Sequence, residues 1–62
     1  MKIELSAGIW IEDVLPEKIV ITKNEKDAMQ YSNTENAVKA LDHVRTFVDT
    51  SNAQLREGFI DD

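Results

Sequence analysis

Apolar residues recur at every second position through the first half of this chain and at every third or fourth position through the second. Side chains alternate across a strand and return to one face of a helix after three or four residues. The switch of period near Ser32 therefore predicts strands first and a helix after, an α+β class. The architecture expected is a small three- to four-stranded antiparallel sheet with one long C-terminal helix packed on one face.

Ile3 and Leu5 alternate with Lys2 and Glu4, and Ile9 and Ile11 alternate with Trp10 and Glu12. Between them Ser6-Ala7-Gly8 offers turn chemistry, with Gly8 free to take a positive φ. Strands are expected over 2–5 and 9–12, either as a hairpin or as one long strand with a bulge near Gly8. Pro16 lacks an N–H and holds Leu15 extended, so Val14-Leu15-Pro16 reads as a loop. The β-branched centre of 17–23 gives the clearest strand. Asn24 to Asp27 reads as a turn, and 28–31 as a returning partner strand.

Ser32-x-x-Glu35 matches a capping box, in which the Ser hydroxyl accepts from the first turn while Glu35 reaches back. Downstream, Ala37, Leu41, Val44 and Val48 keep helical phase, and Glu35–Lys39 and Asp42–Arg45 are spaced to pair. The helix is expected over 33–50. Leu55 keeps the same phase, which allows an extension to 57, although a helix from Asn33 to Glu57 would span about 37 Å and overhang strands of ~17–23 Å. Ile3, Leu5, Ile9, Ile11, Ile19 and Ile21 are expected to meet Ala37, Leu41, Val44 and Val48.

Sixty-two residues hold one small core, read here as a single domain over 1–62. With no Cys and a single His, neither a disulfide nor a structural zinc site supplements it, so packing or a second copy must. No cofactor is expected. Lys2-Ile3-Glu4-Leu5 lacks the apolar stretch of a signal peptide, and no run approaches a membrane span, so a cytoplasmic location without membrane partners is expected. Seven basic against twelve acidic residues give a net charge of −5, spread over both halves. Such a surface repels phosphate backbones and makes a nucleic-acid partner unfavourable.

Candidate functional residues follow from the sheet. If Ile9 and Ile11 face the helix, Trp10 and Val20 face away, and Met29 and Tyr31 can join them. Aromatic residues and Met gathered there resemble a dimer or partner surface. The alternative is that Val14-Leu15 or the Phe59-Ile60 tail folds over Trp10. Leu55, Phe59 and Ile60 form a second candidate surface at the distal helix and tail. His43 reads as a partly exposed helix residue. No phosphate loop, nucleotide fingerprint, nucleophile elbow or calcium loop occurs, and an enzyme is not expected.

The run from Ile19-Val20-Ile21 through Ser32-x-x-Glu35 to Ala40-Leu41 is similar to the three-stranded sheet-plus-helix modules that bind DNA arms in phage-type integrases. The resemblance covers about half the chain and lies in cap and periodicity. It implies a sheet on a helix and DNA contact through basic sheet residues. Here Lys2, Lys18 and Lys23 are set against Glu4, Glu12 and Glu17, which departs from that pattern.

The chain is accordingly expected to be a non-catalytic interaction protein, homodimeric or bound to another protein. Two alternatives are an acidic inhibitor that mimics nucleic acid and a sheet-mediated nucleic-acid binder.

Overall fold

A computed structural model gives the fold and describes residues 1–57. Its elements are β1 (Lys2–Ser6), β2 (Ile9–Val14), β3 (Ile19–Thr22), a 3-10 turn (Glu25–Asp27), α1 (Thr34–Val44) and β4 (Gln54–Arg56). The strands form one antiparallel sheet in the order β3-β2-β1-β4, with one helix, so the α+β expectation stands.

β1 and β2 are joined by a hairpin, Ser6 opposite Ile9, with Gly8 at φ +78°. The register slips between Glu4 and Ser6, so Leu5 is the extra residue of a bulge. The hairpin is thus the form adopted, and its bulge falls at Leu5 within β1 and not near Gly8. A second slip falls in β2 between Ile11 and Asp13, while β3 runs unbroken opposite it.

The expected strand over 28–31 is absent as a partner of β3. The 3-10 turn opens with the Lys26 N–H donating to Asn24 Oδ1, and the chain leaves it extended at Ala28, away from β3. Met29 N–H donates to the Ile11 carbonyl, and Tyr31 N–H to the Met1 carbonyl. The Met1 amino group returns a bond to the Tyr31 carbonyl at 2.8 Å. Residues 28–31 therefore tie β2 to the beginning of β1. Ala28 and Gln30 have little β preference, and Met29 and Tyr31 take Ile11 and Met1 as backbone partners in place of β3.

The helix is much shorter than the spacing of apolar residues suggested. Its N-cap is Asn33, not Ser32: Asn33 Oδ1 accepts from Asn36 N–H at 2.8 Å, and Ser32 Oγ accepts instead from the Asn36 side-chain amide. At the other end, Thr46 and Phe47 bond three residues back and the Thr46 hydroxyl takes the His43 carbonyl. These bonds tighten and close the last turn. Asp49 then accepts from both the N–H and the hydroxyl of Ser51, an Asx turn in Thr50-Ser51-Asn52, where helix propensity is poor.

The chain reverses there, and Gln54–Arg56 pairs with β1, Leu55 opposite Ile3. Leu55 thus belongs to the fourth strand and not to a helix. An eleven-residue helix spans about 16 Å, close to the length of a five-residue strand. The overhang is removed by turning back.

Ile3, Ile11, Ala37 and Val44 form the buried core. Met1, Leu5, Val14, Ile19, Tyr31, Ala40, Leu41 and Leu55 pack around it. Three residues expected in the core lie outside it: Ile9, half-buried beside the β1–β2 turn, Ile21 and Val48. Ile21 is 51 % exposed because the helix stops short of the β3 edge, and Val48 is 37 % exposed because it follows the last helical turn.

Candidate interaction surface

Register assigns the two faces of the sheet. Ile3, Ile11 and Ile19 face the helix; Glu4, Trp10 and Thr22, paired side by side, face away. Trp10 does lie on the face opposite the helix, but it is only 8 % exposed, so its ring is largely covered within the chain. The 3-10 turn packs against β2, and Lys2, from this same face, reaches the Glu25 carbonyl at 3.2 Å and its carboxylate at 3.8 Å. The connection out of β3 is thus folded toward the face that carries Trp10, where sequence had placed either Val14-Leu15 or the tail.

Of the other candidates, Val20 is half-buried opposite Asp13, and Met29 and Tyr31 are half-buried in the segment that ties β1 to β2. Burial raises the Tyr31 hydroxyl above its ordinary value, and the negative charge of Asp13 adds to the effect. Leu55 packs on the core from β4. Phe59 and Ile60 lie outside the described residues.

Among the described residues, four large apolar side chains are exposed: Ile21, Val38, Phe47 and Val48. Phe47 stacks edge-on against His43, with ring centroids 5.3 Å apart. His43 Nε2 lies 3.1 Å from the Leu15 carbonyl. A carbonyl only accepts, so this nitrogen carries the proton. His43 therefore fastens the β2–β3 loop to the helix.

An open cleft of about 650 Å³ lies between the β1–β2 turn and the 51–53 turn. Its charged lining residues are Glu4 and Arg56, which satisfy each other: Arg56 Nε donates to Glu4 Oε1 at 2.8 Å. That bond, followed by one from Gly8 N–H, holds the Glu4 carboxyl below its ordinary value. A carboxylate fixed in this way is a poor proton acceptor. Ser6 and Ser51 line the same cleft with no histidine among its lining residues. Among the described residues, no three His, Asp or Glu side chains gather at metal-binding separation, and no helix is long and apolar enough to cross a membrane.

The two ends of the sheet differ. β4 is three residues long, and its Arg56 is held by Glu4. Short, charged edges resist pairing with another chain. β3 is Ile-Val-Ile-Thr, with no charge inside it and Ile21 exposed at its centre.

The direction of its backbone groups follows from two hydrogen bonds. Leu15 N–H donates to the Lys18 carbonyl at 2.8 Å, so Lys18 faces β2; the Ile11 carbonyl is taken by Met29 and not by Ile21. Backbone groups alternate sides along a strand, so Val20 and Thr22 bond β2 while Ile19 and Ile21 point their N–H and C=O groups outward. Among the described residues no strand lies beyond them.

Among the described residues, an open four-stranded antiparallel sheet with one short helix and one uncovered edge is the class this structure defines. No protein-family model matches the sequence, and neither the curated proteins nor the solved structures yield a match.

Proposed function

We propose that this chain is a non-catalytic interaction protein that acts by pairing with another polypeptide, its own second copy included. The observation that supports this reading is the β3 edge: four β-branched residues, outward backbone groups at Ile19 and Ile21, and an exposed Ile21 side chain. Extended segments add to such edges through main-chain hydrogen bonds, with alternate side chains supplying selectivity. The alternative of an acidic nucleic-acid mimic has less support. Glu4, Glu25, Glu35 and Asp42, from three separate elements, are each met by Arg56, Lys2, Lys39 and Arg45.

Affinity capture from an extract of the source cells, with wild type beside Ile21→Lys and Phe47→Asp, tests the reading. A polypeptide held by wild type and lost by one variant supports it. Capture of nothing, or of the same set by all three proteins, overturns it.

A further inference from the structure

Resting on that reading, we infer that the occupant of the β3 edge is a second copy of this chain, paired antiparallel about a twofold axis at Val20. A homodimer edge must complement itself, and β3 does so residue by residue. With Val20 opposite the partner's Val20, Ile19 falls opposite the partner's Ile21, and the converse holds by symmetry.

Ile19 and Ile21 carry the outward N–H and C=O groups, so each such pair exchanges both of its backbone bonds. Val20 then sits in the pair without backbone bonds, where Cα atoms approach to about 4.5 Å and side chains meet most closely. Any register displaced by one residue would set outward groups against inward ones.

Side chains agree with this register. Ile19 and Ile21 share the helix face, and Ile19 is already packed on the core while Ile21 is 51 % exposed. Pairing lays the exposed Ile21 against the partner's Ile19 and continues the core across the interface. Val20 meets its own copy on the face that carries Trp10.

Charge agrees as well. Beyond the strand, the same axis sets the β2–β3 turn that carries Glu17 near the partner's Lys23 at both ends of the contact, and Lys18 near the partner's Thr22. In an acidic chain, an edge flanked by one carboxylate and two ammonium groups is locally matched to itself. The product is a continuous sheet of twice the width, with both helices on one side.

Sedimentation equilibrium over a wide concentration range tests the inference. Wild type is expected to dimerise, and Ile21→Lys to raise the dissociation constant about a hundredfold, one tenfold loss per Ile21. Far-UV circular dichroism and urea denaturation of that variant at low concentration verify that its monomer folds.

The charge pair supplies a second test that leaves the strand apolar residues in place. Glu17→Lys alone and Lys23→Glu alone each weaken the dimer roughly fivefold, as expected for two exposed ion pairs turned to repulsion. Mixing the two variants in equal amounts restores wild-type affinity, because the mixed dimer pairs opposite charges at both ends. A monomeric wild type, or a dimer unaffected by Ile21→Lys and by both charge reversals, overturns the inference. The capture experiment answers separately whether the chain pairs with any polypeptide.

Discussion

At the scale of single residues, two positions carry constraints that composition hides. Gly8 sits at φ +78° with nothing within 4 Å of where a Cβ would stand. Substituting alanine there meets no atom, so the whole cost is backbone strain, about 1 kcal/mol. Urea denaturation of Gly8→Ala measures it, and a stabilised variant would contradict the hairpin geometry. Glu4 joins the edge strand to the hairpin through Arg56 and Gly8, and both bonds lower its carboxyl below the ordinary 4.5. A group with a depressed folded value contributes stability above its unfolded value, and the contribution is lost as pH falls through the folded one. Wild type is therefore expected to lose more stability than Glu4→Gln between pH 5 and pH 3, in a pH series of denaturation midpoints; parallel curves would remove Glu4 from acid unfolding.

At the scale of elements, the helix start and the helix end show what local pattern can and cannot specify. Ser32 and Asn33 are both good caps, and Glu35 made Ser32 the better match to a motif. The structure uses Asn33 and leaves Ser32 to the Asn36 side chain. Asn33→Ala should cost about 1 kcal/mol and Ser32→Ala only a few tenths; a reversed order in urea denaturation would move the helix start back to 33.

β1, β2, β3 and the face Ala37-Ala40-Leu41-Val44 were legible because alternation and helical phase are properties of neighbouring residues. The last strand was not. Leu55 keeps helical phase with Val44 and Val48 by coincidence of number, and what decides its fate is long-range pairing with Ile3. The turn that makes that possible, Asp49 closing on Ser51, spans so few residues that periodicity cannot register it. Residues 28–31 failed as a strand for the same reason, since their partners are Met1 and Ile11 and not their neighbours.

At the scale of the whole molecule, the candidate surface moved from a face to an edge. Sequence located Trp10 on the outer face correctly, but only the path of the chain after β3 reveals that the ring is covered there. Val20 faces away from the helix as alternation predicts, and it also lies within the open edge strand. Ile21 was assigned to the core, because nothing local says that the helix will be too narrow to reach it.

That shortfall has a thermodynamic consequence. If pairing at β3 completes the core, folding and association are linked, and stability depends on protein concentration by mass action. For a dimer of this size, each tenfold rise in concentration should raise the thermal midpoint by about 5 °C wherever the dimer is the folded species. In Ile21→Lys the midpoint should be lower and independent of concentration, since its folded form is the monomer. Differential scanning calorimetry over two decades of concentration measures both. A concentration-independent wild-type midpoint would mean that the four-stranded sheet and its helix are self-sufficient, with Ile21 left exposed for reasons other than self-association.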